Sequence, residues 1–170
     1  MGYAALNAVA RSGRSAISSE AQAVRTAAIA VVELAQRSQA LFGAKAVAIA
    51  QIWALADECC EFGWDGGDAS PLEHLAVTSA EDFIRALPDG VPLPEFSPEP
   101  DGSISLDWIQ SRHRLFSVSV GATNRLAYAW LDGGDRGHGV AAFDGETIPP
   151  RILEGIERLM NHGNPAVGPT

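Results

Sequence analysis

Apolar residues recur three and four positions apart over the first third of the chain, a spacing that predicts amphipathic helices. One such stripe occupies residues 24–42, and Gly43 after it is a predicted helix stop. A second pattern occupies residues 44–60 and ends near Gly63, since glycine adopts the left-handed conformation of a helix C-cap. The sequence therefore predicts an N-terminal helical hairpin.

The middle of the chain reads as turns, one short helix and a proline-rich bridge. Residues 64–71 form a dense turn segment of Asp, Gly, Ser and Pro. Thr78 followed by Glu81 is the pattern of a capping box, which predicts a short helix ending at Leu87. Five prolines then fall within residues 88–101, and because proline removes a backbone donor, we expect this bridge to be extended and unpaired.

From Ser103 onward the apolar period changes to two, the signature of half-buried strands. Short connections between the strands indicate an antiparallel meander of about four strands, the fourth with a weaker apolar pattern. Pro149 and Pro150 suit the first turn of a final helix whose apolar face covers the sheet. The expected strands contain Ile104–Trp108, Phe116–Val120, Leu126–Trp130 and His138–Phe143.

Together these elements predict the α+β class: an N-terminal helical hairpin, a short middle helix, an antiparallel meander and a C-terminal helix on the sheet. With 170 residues, one core is the expectation. The expected organisation is a flexible arm at 1–18, a single domain at 19–161 and a frayed tail at 162–170. Within that domain we expect helices in 19–62, the bridge at 88–101, and the sheet and final helix in 103–161.

Charge and composition narrow the class of protein. The net charge is −9, but residues 1–50 carry +3 and the remainder −12. An acidic body repels phosphate backbones, so nucleic acid is disfavoured and a basic protein partner is favoured. No apolar run approaches a bilayer span, and no basic residue precedes an apolar core in the first ten residues, so we expect a cytoplasmic protein without membrane contact. The adjacent Cys59 and Cys60 are expected to be reduced.

Four sequence features occur in order over about residues 60 to 160: a Trp-Asp-Gly turn, an Ala/Pro element, a Leu-Pro step and a Pro-Asp-Gly strand with a later Trp. In this they resemble a widespread group of uncharacterised bacterial proteins. The resemblance implies no known activity. The chain departs from it at Gly67 and Asp68, where a bulky residue is expected. The matching residues are Trp64–Gly66, Ala69 with Pro71, Leu87 with Pro88, and Pro100–Trp108.

One glycine-rich segment carries residues able to bind a ligand or move protons: Asp132, Asp135, Arg136 and His138. It matches no phosphate loop, dinucleotide fingerprint or calcium loop, and a solvated hairpin loop is the alternative. The cysteines lie among acids, and the histidines lack zinc spacing. We therefore predict no catalytic residue, no cofactor and no metal.

The aromatic residues of the strands admit two interpretations. Trp108, Tyr128 and Trp130 alternate along neighbouring strands and could form a stacking platform for a base or a sugar ring. Packing of the sheet against the helices favours the same pattern, because large aromatic residues opposite polar ones mark a half-covered sheet.

Two hypotheses of different class follow. The first is a non-enzymatic protein–protein interaction module, an accessory, antitoxin-like or immunity-like subunit of a bacterial complex, that binds its partner through Val24, Val31 and Phe42. A homodimer through this stripe, and packing of the stripe on the protein's own sheet, stay open as alternatives. The second is a small enzyme or ligand-binding protein that uses the segment from Asp132 to His138.

Overall fold

The computed structural model describes residues 19–161, so the predicted arm at 1–18 and the predicted tail at 162–170 lie outside the described residues. It confirms the α+β class, an antiparallel sheet and a C-terminal helix. The chain divides into two units, Met1–Ala40 and Leu41–Thr170, and the core belongs to the second. The elements are α1 Ser19–Glu58, α2 His74–Ala86, β1 Glu95–Pro98, β2 Ile104–Ser111, β3 Arg114–Val120, β4 Arg125–Asp132, β5 Asp135–Ala142 and α3 Pro150–Asn161.

The N-terminal helical hairpin is a wrong prediction, because α1 is one helix of 40 residues that continues through Gly43. A single glycine inside a helix costs only about 1 kcal/mol relative to alanine. The flanking residues are alanine and other good helix formers without proline, so they carry the helix past that position. Gly43 also lacks the positive φ of a C-cap.

Helix α2 begins at His74, four residues ahead of the predicted capping box. Thr78 lies inside the helix, where its hydroxyl donates to the His74 carbonyl at 3.0 Å. Glu81 does not reach back to a free N–H, because its carboxylate accepts from Trp53 Nε1 at 2.7 Å and from the Arg85 guanidinium. The two residues therefore do not form a capping box: Thr78 bonds within α2, and Glu81 links α2 to Trp53 of α1.

The sheet has five antiparallel strands in the order β1-β2-β3-β4-β5, one more than predicted. The additional strand is β1, which lies in the bridge that we expected to be unpaired and pairs Ser97 with Ser105 of β2. Proline is tolerated there because β1 is an edge strand, and Pro98 is its last residue. Strand β5 begins at Asp135 rather than near His138, since only Gly133 and Gly134 separate it from β4.

One face of the sheet packs against α2 and α3. Trp108 of β2 and Phe116 of β3 are register partners on this face, and both are almost fully buried. Phe83 of α2 contacts Trp108, with ring centroids 6.3 Å apart. Gly155 of α3 lies so close to Phe116 that a Cβ there would be 2.2 Å from the phenyl Cε2. Both helices therefore share one core with the sheet.

Candidate functional site

The residues predicted to bind a partner lie on α1. Val31 is 65% exposed and Phe42 is 76% exposed, so most of each side chain is open to solvent. The side chain of Val24 lies outside the described residues. Further large apolar side chains of α1 are more than half exposed, and sequence analysis did not single them out: Ile29, Val32, Leu34 and Val47.

The exposed apolar residues of α1 face more than one direction. Ile29 and Val32 are three positions apart and share one side of the helix, while Val31 and Leu34 share the other. Charge is sparse here, since Glu33 is the one acidic residue and Arg37 the one basic residue between positions 26 and 44. The surface is therefore apolar and close to neutral, in contrast with the acidic remainder of the chain.

The predicted ligand segment is a tight hairpin whose polar residues diverge. Asp132 and Asp135 are paired across the two-glycine turn, and Gly133 has the positive φ that such a turn requires. Asp132 Oδ1 accepts from Arg114 Nε at 2.9 Å. Because strand residues alternate between faces, Arg136 and His138 of β5 lie on the opposite face of the sheet from Asp135. The hairpin does not bring the four predicted residues together.

The open face of the sheet carries a network of serine and acidic side chains that sequence analysis missed. The Ser119 hydroxyl donates to Glu99 Oε2, and the single proton of the Ser103 hydroxyl is shared between Glu99 Oε2 and Asp101 Oδ1, the latter at 2.6 Å. The hydrogen bond from the Ser103 hydroxyl, together with that from its backbone N–H, lowers the pKa of Asp101. These carboxylates already have protein partners, so the network stabilises the hairpin between β1 and β2.

A second serine and acid group continues this network along the strands. Asp107 Oδ1 accepts from the Ser105 hydroxyl at 2.9 Å and from the Ser117 hydroxyl of the neighbouring strand. The available signal in the sequence was serine at every second position of two strands that pair with each other. Within the described residues, no cluster of three or more His, Cys, Asp and Glu side chains is arranged to hold a metal ion.

Two of the four sequence features behind the bacterial resemblance, the Trp-Asp-Gly turn and the Pro-Asp-Gly turn, are joined by hydrogen bonds. Trp64 Nε1 donates to the Ser70 carbonyl at 2.9 Å and closes the turn on itself. The Ser70 N–H then donates to the Pro100 carbonyl at 2.8 Å, which joins the Trp-Asp-Gly turn to the Pro-Asp-Gly turn. We refer to this joint as the turn lock.

Gly102 completes the turn lock from the other side. Its carbonyl accepts from the Glu73 N–H at 3.0 Å. Its φ is +88°, and a Cβ there would lie 2.8 Å from the Pro71 carbonyl oxygen, so only glycine fits. The motif residues hold two segments of the fold together and provide no convergent reactive groups.

The cysteine thiols give no sign of a nucleophile. Cys59 is buried, and this burial together with the nearby Glu58 raises the pKa of its thiol, which disfavours the reactive thiolate. Cys60 is an exposed free thiol. None of the helices in residues 19–161 combines the length and apolarity that a bilayer crossing needs.

Comparison with known proteins gives no assignment. No family model, curated protein or solved structure matches this chain significantly. The resemblance to uncharacterised bacterial proteins stays a prediction.

Proposed function

We propose that this protein is a non-enzymatic protein–protein interaction module that binds its partner through α1, as an accessory, antitoxin-like or immunity-like subunit of a complex. A single observation carries the proposal: a run of large apolar side chains on α1 is more than half exposed. We define the α1 patch as the four such residues in the first unit: Ile29, Val31, Val32 and Leu34. Phe42, which was also predicted to bind the partner, is exposed too but belongs to the second unit. Clustered apolar exposure of this kind marks interaction sites, whereas scattered single residues do not.

The α1 patch is large enough to contribute a useful binding energy. Full burial of one such side chain is worth roughly 1.5–3 kcal/mol, so burying the exposed portion of each contributes about 1–2 kcal/mol. Four side chains then contribute about 4–8 kcal/mol, which is comparable with the lower part of the roughly 4–15 kcal/mol cost of association. Contacts around the patch supply the remainder of the affinity.

The placement of the patch residues indicates how a partner engages α1. Since Val31 and Leu34 lie on the side opposite to Ile29 and Val32, a partner must contact the helix from two sides, as neighbouring helices do in a bundle. The near-neutral charge of this stretch favours an apolar partner surface. The acidic remainder of the chain steers a basic partner towards the protein, because opposite charges speed encounter.

The test replaces one patch residue with a charged one. Val31→Asp puts a carboxylate into the apolar contact, and the cost of burying that charge is expected to weaken the complex by about a hundredfold or more. Val140→Asp is the matched control, since Val140 is 51% exposed on β5 and lies outside the patch. The tagged proteins are recovered from the native host, and copurifying proteins are identified and quantified by mass spectrometry.

The expected result is a stoichiometric partner with the wild type and with Val140→Asp, and none with Val31→Asp. Far-UV circular dichroism shows whether both variants keep the helical content of the wild type. Recovery of the wild type as a folded monomer without any partner would refute the proposal. If the Val31→Asp variant still binds its partner, the interface does not lie on the α1 patch.

A further inference from the structure

A cavity of about 210 Å³ lies between α3 and the strands β3 and β4. Phe116, Tyr128 and Trp130 line it on the sheet side. Their rings follow one another along the sheet with centroid distances of 5.9 and 6.2 Å and interplanar angles of 14° and 19°. These nearly parallel rings stack in one row, and the ring atoms that line the cavity form an aromatic wall against which another aromatic ring can pack. Arg151 and Glu154 of α3 line the other side.

Glycines of β5 fix the orientation of this wall. Gly137 is the register partner of Trp130, and Gly139 is the register partner of Tyr128. A Cβ at Gly137 would lie 2.2 Å from Trp130 Cζ2, and a Cβ at Gly139 would lie 2.5 Å from Tyr128 Oη. The rings therefore lie over the backbone of β5, in positions that side chains there would forbid. The aromatic wall is preorganised before any ligand arrives.

Two polar groups of the aromatic wall, the Trp130 indole N–H and the Tyr128 hydroxyl, are available to bind a ligand. The structure describes all four tryptophans, and three donate their indole N–H to a protein acceptor: Trp53 to Glu81, Trp64 to Ser70 and Trp108 to Pro92. Among the described residues, Trp130 Nε1 and Tyr128 Oη have no such partner, and neither is a buried unsatisfied atom. Water reaches both groups, so a ligand can replace that water.

Arg151 supplies an available positive charge at the same cavity. Its exposed guanidinium makes no ion pair or hydrogen bond with any described residue. The other charged residues Arg158 and Asp132 also line the cavity, but both are already engaged. Arg158 has an interaction of its own, and Asp132 accepts from Arg114 Nε at 2.9 Å. A guanidinium binds a carboxylate through two parallel hydrogen bonds. Glu154, one turn along α3, disfavours a second negative charge on the ligand.

We propose that this cavity binds a small aromatic monocarboxylate, with its ring on Tyr128 and Trp130 and its carboxylate on Arg151. The ligand is small because the cavity is below the roughly 300–1,000 Å³ of pockets for drug-sized molecules. The Trp130 indole N–H donates to the same carboxylate or to a ring acceptor. This site is separate from the α1 patch and does not depend on the proposed function.

The probe is indole-3-acetate, with the neutral indole-3-acetamide as its matched control, titrated into the full chain by isothermal titration calorimetry. The acetate is expected to bind and the amide to bind at least about tenfold more weakly, because the neutral amide cannot form the charge-assisted hydrogen bonds that the carboxylate forms with a guanidinium. Arg151→Gln is expected to remove this preference. Arg112→Gln, an exposed arginine outside the cavity, is expected to keep it.

Nuclear magnetic resonance of the indole N–H groups gives the second readout. Of the four indole signals, the one that moves on addition of indole-3-acetate should be the one that Trp130→Phe removes. The absence of binding at millimolar indole-3-acetate would overturn the proposal. Equal binding of the acetate to the wild type and to Arg151→Gln, or a shift confined to another tryptophan, would overturn it as well.

Discussion

Replacement of Gly155 by alanine tests how closely α3 approaches the sheet. Alanine is the better helix former, and at an unconstrained helix position the exchange stabilises by about 1 kcal/mol. At Gly155, however, the new Cβ would lie 2.2 Å from Cε2 and 2.8 Å from Cζ of Phe116. Real Cβ contacts do not become that short, so the ring or the helix has to move.

Phe116 cannot move cheaply. It is 2% exposed, it stacks on Tyr128 at 5.9 Å, and it meets Trp108 edge-on at 6.4 Å. Overpacking of a close-packed core typically costs about 1–3 kcal/mol, and the displaced ring would carry the aromatic wall with it. A Cβ only 2.2 Å from the ring places this cost in the upper part of the range, about 2–3 kcal/mol. After the gain of about 1 kcal/mol in helix propensity, we expect a net destabilisation of about 1–2 kcal/mol.

Urea unfolding of Gly155→Ala, followed by tryptophan fluorescence, measures the change, and a Tm lowered by several degrees should accompany it. Gly43→Ala is the matched control, because Gly43 is also inside a helix but a Cβ added there would have no neighbouring atom within 4 Å. That variant should gain far-UV helical signal without loss of stability. A Gly155→Ala variant as stable as the wild type would refute the close approach of α3 to Phe116.

Two further changes test side-chain hydrogen bonds. Trp64→Phe removes the donor to the Ser70 carbonyl, so urea unfolding should show a loss of about 0.5–1.5 kcal/mol, and an unchanged midpoint would contradict the turn lock. The hydrogen bond from Arg85, followed by that from Trp53, lowers the pKa of Glu81 in the folded protein. The ionised carboxylate therefore stabilises the fold at pH values above the ordinary glutamate pKa of about 4.3. This stabilisation is lost as the pH falls through the lower pKa of the folded state. Glu81→Gln should therefore be less stable than the wild type at about pH 7 and closer to it at about pH 3, whereas a deficit independent of pH would exclude the ionised contact.

The central strands were predictable from the sequence because their side chains alternate in polarity. Strand β5 gave a weaker signal for a physical reason: its inward positions at Gly137 and Gly139 have no side chain, and rings of β4 cover them instead. The alternation of polar and apolar residues along one strand reflects only the side chains of that strand. It does not show when side chains of a neighbouring strand bury its backbone. Strand β1 was missed because the prolines of this segment were taken to exclude a strand. On an edge strand the missing N–H of a proline costs little, so proline is compatible with pairing there.

The candidate partner-binding residues were predictable only in part. The spacing placed Val31 and Phe42 on a helix stripe, but the second pattern of the same period, at residues 44–60, contains Ile52, which is buried in the core. Apolar residues have the same helical spacing whether the helix face is buried in the core or exposed to solvent. The sequence alone therefore could not distinguish a docking surface from a core face. The wall of Tyr128 and Trp130 was recognised as a pattern, and its glycine support came only from the register of two strands.

The order of strands along the sheet has a consequence for how the protein is made. Each strand pairs with its neighbour in the chain, so these contacts have short sequence separation, and such contacts form early and rapidly in folding. During synthesis the meander can assemble before α3 emerges, since α3 follows all five strands. Until then Phe116 and its aromatic neighbours lack their helical cover. The exposed aromatic face of the meander therefore makes the nascent chain prone to aggregation in the interval between completion of β5 and the arrival of α3.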